Sequence, residues 1–487
     1  MENSFTGKTR IRIYVFLVCI VTAFRLFLLM TYCFHQTDID QALMWYASAE
    51  AGHFVFPEPH FYGQTYGTMM DSYLAVPLYW LHVPFNIGLP VMVSLACMAA
   101  FLIISLMLFR KGQFFQSILV LLLLGLNSWR WDINTSIPRS FFSGFLFAVT
   151  GVVLINESDR KAARAIGTFL AVISVSMTMT SLAILGIGIA GIFLRSRERL
   201  LKNWKSLVLG GVLGLLCAGL IHYFYILHPE YDVRPGLKTG FSMDTLQENI
   251  EHLFWTLSNF MPFPSGMAAL SLFAVVNAVL VVKKRYRPVA LHVLLAAGTL
   301  IIMMMEHTGG GLNHTLYSKV RVFLYIPYCL AMVVYTNPDD FAISGRRAVY
   351  AATAALMVFT FCKTDFYLDE LKNPDGELYH STAVIQEDAD SCLAAAEKIV
   401  QLADELGIQS IAFRGYPGRV AAYAAAALSY GRHEVYVIDV DRRYEMREKM
   451  DHWIPQEVLI ITYTPDDPEG WTYSVDHVED VRAVIRS

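Results

Sequence analysis

The segment Thr37-Asp38-Ile39-Asp40-Gln41 sets two carboxylates two residues apart, directly after the first long apolar run of the chain. Such a pair can hold a divalent metal or position one ionised base. Asp38 also suits the N-cap of a helix over about 40–51, and acids are favoured at that helix end. Downstream, Phe61-Tyr62-Gly63-Gln64-Thr65-Tyr66-Gly67 reads as a Gly-rich turn, joined through Thr68-Met69-Met70-Asp71 to a half-polar helix that contains Pro77. Four cationic residues stand near the ends of apolar runs. Arg139 follows Pro138, Lys319 and Arg321 open a late run, and Arg25 lies inside the first, about a turn and a half from its end. An arginine within a membrane span is costly and points to function, whereas snorkelling explains basic residues at span ends. Of Lys319 and Arg321, the arginine is better suited to a bidentate grip on phosphate.

What must position these residues follows from composition. The 487 residues are 55% hydrophobic and 16% charged, with mean hydropathy +0.43. A soluble domain carries about 25% charged residues, so the deficit points to a lipid solvent. The net charge of −4 holds no basic excess for nucleic acid. Seven cysteines are scattered singly, without CxxC spacing, which argues against a disulfide framework or a thiolate metal site. The run 13–30 follows Lys8, Arg10 and Arg12, is long and lacks a small-residue cleavage site, so it reads as an uncleaved first span.

A spanning helix needs about 20 apolar residues, and about eleven candidate stretches appear. They lie near 13–31, 88–109, 114–128, 140–155, 165–179, 181–194, 206–227, 265–282, 288–305, 321–336 and 348–363. The short pair 165–179 and 181–194 also fits a hairpin that dips into the bilayer and returns. Clusters at 110–111, 160–164, 195–205, 283–287 and 346–347 hold most of the positive charge. All fall on one side if the N-terminus is cytoplasmic, as the positive-inside rule requires. This layout places the longer acidic and aromatic loops, 33–87 above all, on the extracytoplasmic face. An odd number of spans puts the C-terminal piece there too. The expected organisation is a membrane domain over 1–363, a linker over 364–390 and a small soluble α/β domain over 391–487.

In that last piece helices are expected at 392–406, 420–430 and 442–453, and strands at 410–413, 434–439 and 457–463. Alternation of this kind makes a parallel sheet. The turn at 414–418 is Gly-rich but matches no phosphate loop. The domain reads as structural or acceptor-related rather than catalytic.

The Asp-x-Asp segment and the Gly-Gln-x-Tyr-Gly turn together resemble bacterial members of the GT-C superfamily of glycosyltransferases, in the manner of family 39. Their pattern is an acidic "D-x-D-E-A", then "F-Y-G-Q-x-Y-G-G", an acidic residue and "Y-L-A-A-P". Asp38, Asp40 and Ala42 match, with Gln41 in place of the glutamate. Gly63, Gln64, Tyr66, Gly67 and Pro77 also match, and Asp71 stands where glutamate is commoner. The resemblance implies an α-helical polytopic bundle with an outward-facing active site. It implies an inverting glycosyltransferase that moves a sugar from a polyprenyl-phosphate donor to a glycan, lipid or protein acceptor of the cell envelope. It further implies a carboxylate base, Asp40 first and Asp38 second, to take the acceptor's proton. The resemblance suggests Gln64, Tyr66 and Asp71 as substrate-binding residues and, through its pattern of a basic residue heading a late span, Lys319 and Arg321; Arg139, Arg25 and His314 join them by their own placement, the cations facing the leaving phosphate. A divalent metal on Asp38 and Asp40 is compatible with the sequence and not required by it.

Other signals have plainer readings. Gly186-x-Gly188-x-x-Gly191 lies in an apolar run with no strand before it, so helix packing explains it, as for Gly210 and Gly214. Glu306, His307, the glycines 309–311 and His314 form a loop suited to contacting an acceptor more than to holding a metal. A transporter or flippase of a lipid-linked substrate is the alternative function. It predicts two similar halves with interrupted spans, and no such repeat is visible.

Overall fold

The computed structural model describes residues 6–64, 67–125, 141–231, 240–258, 265–308, 322–342, 346–370, 387–414, 419–437, 443–463 and 471–486. Each of the eleven apolar stretches carries a helix. In chain order the helices are α1 (Gly7–Leu28), α2 (Ile39–Gly52), α3 (Met70–Trp80), α4 (Phe85–Arg110), α5 (Phe114–Gly125), α6 (Phe141–Glu157), α7 (Lys161–Met177), α8 (Ser181–Lys202), α9 (Trp204–Leu227), α10 (Met243–Glu251), α11 (Leu253–Ser258), α12 (Gly266–Val282), α13 (Tyr286–Met303), α14 (Ile326–Thr336) and α15 (Arg346–Glu370). Four are long and apolar enough to cross a bilayer on their own account: α1 with the π-helical turn Leu29–Cys33, α4, α9 and α13. Helix α9 leaves Leu209, Leu215, Leu216 and Leu220 more than half exposed, a surface for which lipid is the fitting solvent.

Small residues let the bundle close. A Cβ on Gly188 would meet Val152 Cγ1 at 2.9 Å, one on Gly191 would strike Thr336, and one on Gly214 would meet Val172 Cβ at 2.7 Å. Gly210 presses on the Ala165 carbonyl in the same way, whereas Gly186 faces open space. Backbones can approach this closely only where no side chain intervenes. Gly188, Gly191, Gly210 and Gly214 are therefore packing positions, whereas Gly186, expected from the sequence to pack likewise, is not, and α7 and α8 meet at a turn over 178–180.

The C-terminal unit contains β3 (Ser410–Arg414), α17 (Arg419–Leu428), β4 (Glu434–Tyr436), α18 (Tyr444–Asp451), β5 (Gln456–Tyr463), β6 (Trp471–Val478) and α19 (Val481–Arg486), preceded by α16 (Ala389–Leu406). The sheet order is β4-β3-β5-β6, parallel across β4, β3 and β5, with β6 antiparallel at the edge. The sequence reading did not include β6 or α19. Six of the eight β6 residues are exposed, so this edge strand lacks the apolar run that marks β5.

Two features join this unit to the loop after α1. First, a two-residue strand β1 (Gln36–Thr37) pairs antiparallel with β2 (Glu387–Asp388). Second, α2 packs on α17, and both belong to one apolar core. Every residue from Gln41 to Ala51 is buried, as is Val420 to Ala427. The alanine-rich stretch 421–427 thus makes a flat face onto which an almost wholly buried helix can settle.

Candidate functional site

The loop after α1 holds the carboxylate pair, and its frame is built from both ends of the chain. Asn86 Nδ2 donates to the Phe34 carbonyl at 2.8 Å and to Asp390 Oδ1 at 3.0 Å. Asp390 Oδ2 meets His35 Nδ1 at 2.7 Å, and the Ala389 amide donates to the His35 carbonyl at 2.9 Å. With the β1–β2 pair, these bonds fix the backbone up to Thr37. Asp38 follows at the N-cap of α2, 3% exposed, its Oδ1 accepting from the Gln41 amide at 2.8 Å. Asp40 lies in the first turn, half-buried. Both carboxylates therefore sit at the N-terminal, positive end of a helix. Among the described residues no group of three His, Cys, Asp or Glu converges to hold a metal.

The Gly-rich turn is anchored from the far side. Gly63 and Gly67 adopt φ of 67° and 74°, a region that disfavours side chains. Gln64 is buried, and its amide closes the turn on the Phe61 carbonyl at 3.0 Å. The His60 ring stacks on Tyr225 with centroids 5.3 Å apart, and its Nδ1 lies 2.6 Å from the Gly67 carbonyl. A carbonyl only accepts, so Nδ1 carries the proton, and burial holds the ring's pKa below its ordinary value. Asp71 is 1% exposed in the first turn of α3. Ser72 and Ser48 each donate to the Met44 carbonyl, at 2.9 and 3.0 Å, locking α3 against α2.

Arg25 is 2% exposed in the last turn of α1, just before the π-helical turn, a distortion frequent at functional sites. Lys363 of α15 is also buried, its ammonium 4.8 Å from the centre of the Phe24 ring. The sequence reading placed Lys363 inside its last apolar run, but nothing in the pattern marked it as packed beside α1. Tyr66, Arg139, His314, Lys319 and Arg321 lie outside the described residues. Of the expected site residues, the structure places Asp38 and Asp40 at the N-terminal end of α2, Gln64 on the turn whose Tyr62 and Gly63 bond to Glu50 and Glu58 toward the other end of α2, Asp71 in the first turn of α3 and Arg25 in the last turn of α1.

A second cluster occupies the other end of α2, and the sequence reading missed it. Glu50 accepts from the Tyr62 hydroxyl, and burial raises its pKa to about 7 against the pull of Arg443. Glu58 accepts from the Gly63 amide and the Tyr225 hydroxyl, both at 3.2 Å, and burial raises it to about 9. Arg443, 4% exposed, sits 3.9 Å from the centre of the Tyr46 ring. The available signal was a lone carboxylate, Glu50, within the otherwise apolar Ala47-Ser48-Ala49-Glu50-Ala51.

No protein-family model matches the sequence, and no curated protein does either. Two solved structures are similar over nearly the whole chain. The crystal structure of ArnT from Cupriavidus metallidurans bound to undecaprenyl phosphate aligns with TM-score 0.58 at 11% identity, covering 96% of this chain and 98% of that one. The apo structure of the same protein aligns with TM-score 0.55 at 12% identity, covering 94% and 97%. At such identity the likeness concerns the fold, and it extends from the first span to the C-terminal unit. The chain shares the fold of that ArnT, a helical bundle with spans long and apolar enough to cross a membrane and a small α/β unit at its C-terminal end.

Proposed function

We propose that this protein is an inverting glycosyltransferase of the plasma membrane. It transfers a sugar from a polyprenyl-phosphate donor to a cell-envelope acceptor on the extracytoplasmic side. The observation that supports this most is the placement of Asp40 in the first turn of α2, at the mouth of the first loop, within a fold shared with a protein solved bound to undecaprenyl phosphate. Positive-inside charge puts the N-terminus in the cytoplasm and this loop outside. Nucleotide sugars are cytoplasmic, so a donor acting outside must cross on a lipid.

In this reading Asp40, in the first turn of α2, takes the proton of the acceptor hydroxyl as that oxygen attacks the anomeric carbon. The bond to the phosphate oxygen breaks on the opposite face, which inverts configuration. Asp38 orients the turn by capping it and stands second as base. Arg25, Arg139, Lys319 and Arg321 are the cations assigned to the departing phosphate, and Gln64, Tyr66, Asp71 and His314 the groups assigned to substrate.

The test is transfer of radiolabelled sugar from a panel of polyprenyl-phosphate sugars by purified wild type and Asp40→Asn, with and without chelator. Wild-type transfer that falls at least ~100-fold in Asp40→Asn is expected. Equal turnover by the two proteins removes Asp40 as base, and failure of wild type with every donor removes the glycosyltransferase reading. The chelator arm decides whether a metal takes part.

A further inference from the structure

In α9 the buried residues are Ser206, Gly210, Gly214 and Tyr225. The first three lie in its first half, where Gly210 and Gly214 press on Ala165 and Val172 of α7. From Gly214 the helix runs on for about 16 Å, with Leu215, Leu216 and Leu220 exposed, to reach Tyr225 in its last turn. There the first loop engages it. The Tyr225 hydroxyl accepts from the His60 amide at 3.0 Å and donates to Glu58 Oε2 at 3.2 Å, and its ring stacks on the His60 imidazole at 5.3 Å and 19°.

Each residue that Tyr225 holds in turn holds a glycine of the Gly-rich turn. Glu58 Oε1 accepts from the Gly63 amide at 3.2 Å, and His60 Nδ1 donates to the Gly67 carbonyl at 2.6 Å. Gly63 and Gly67 are the bends at positive φ, so one phenol stands behind both. A hydroxyl serves here because it donates and accepts at once, whereas a phenyl ring of the same shape offers neither bond. Just past α9, Arg447 of α18 donates to the Glu230 carbonyl, which ties this end of the helix to the C-terminal unit as well. Tyr225 is therefore carried on a support held by α7 at one end and by α18 at the other.

We propose that Tyr225 is a positioning residue for the Gly-rich turn: from the end of α9 it sets the backbone around residues 60–64, and through it the affinity for the substrate that the turn holds. That Gln64 on this turn meets substrate rests on the glycosyltransferase reading, whereas control of the turn by Tyr225 does not. The turn bonds through Tyr62 to Glu50, which stands ten residues beyond Asp40 on α2, about 15 Å along the helix. A shift of the turn therefore acts on binding and leaves the proton transfer assigned to Asp40 in place.

The test is hydrogen–deuterium exchange of the full-length protein in nanodiscs, joined to the sugar-transfer assay, on wild type, Tyr225→Phe and Glu58→Gln. Tyr225→Phe keeps the ring stack and loses both hydroxyl bonds. Exchange of the His60 amide is expected to quicken at least about tenfold, with the amides of α2 unchanged. Glu58→Gln keeps an acceptor for Gly63 and leaves the His60–Tyr225 bond in place, so its His60 exchange is expected at the wild-type rate. In transfer, Tyr225→Phe is expected to raise the KM for the active polyprenyl-phosphate sugar about tenfold and to keep kcat within about twofold. Unchanged exchange at His60, faster exchange spread evenly over α2 and the turn, or a fall in kcat at constant KM would each overturn the proposal. If wild type turns over no donor, the glycosyltransferase reading fails, and the exchange rates still decide whether Tyr225 holds the turn.

Discussion

Replacing Glu58 with glutamine should make the protein less sensitive to alkaline pH, and the size of the effect follows from where the carboxyl sits. Burial raises the pKa of Glu58 from 4.5 to about 9, with Glu50 and Glu445 adding to the rise and bonds from Gly63 and Tyr225 opposing it. The folded protein therefore holds this proton more tightly than the unfolded chain. The resulting stability is fully present below about pH 4.5 and is lost as pH climbs through about 9. A shift of 9 − 4.5 = 4.5 units corresponds to about 6 kcal/mol at about 1.36 kcal/mol per unit. Water penetration and side-chain relaxation make that a ceiling. Glutamine keeps the shape and the acceptor for the Gly63 amide but cannot ionise. Thermal unfolding of wild type and Glu58→Gln in nanodiscs from pH 5 to 9 tests this. The two melting temperatures should lie closest at pH 5 and separate progressively from there upward, the variant gaining on wild type as pH rises. Glu50, raised to about 7, titrates in both proteins, so its own contribution largely cancels in the difference. Parallel pH profiles, or a wild type more stable than the variant at pH 8.5, would refute the account of Glu58 as a buried neutral acid.

Asp38→Ala should lower stability by about 1 kcal/mol through loss of the bond to the Gln41 amide, and Asp38→Asn should restore most of it. Thermal denaturation of both variants separates this capping role from any catalytic one, which the transfer assay reads. Arg321→Ala should weaken binding of a polyprenyl-phosphate sugar at least about tenfold without lowering the melting temperature. Unchanged donor affinity would remove Arg321 from the phosphate site.

The carboxylate pair and the Gly-rich turn were legible because their geometry is local. An N-cap acid, a first-turn acid and two glycines at positive φ leave signatures within a few residues. Spans are equally local, since each must satisfy its own backbone within one apolar helix. Edge strand β6 escaped because, mostly exposed, it lacks an apolar run and gains its definition from β5. Arg443 and Glu58 escaped for a related reason. Arg443 stands in a charged stretch and Glu58 between two prolines, neither pattern marking burial, which exists only once α2, the 57–62 loop and α18 meet.

Taken alone, the order of residues determined a membrane chain of about eleven apolar stretches, the sidedness expected of its basic connectors, an acidic loop after the first of them and an α/β piece at the end. The tertiary structure decided how those parts depend on one another. It paired residues 36–37 with 387–388, set the Ala-rich face of α17 against α2, and gave the first loop and the C-terminal unit one shared core. Contacts between residues more than three hundred positions apart leave no periodicity in either segment. Shape and burial, which arise only on folding, select them.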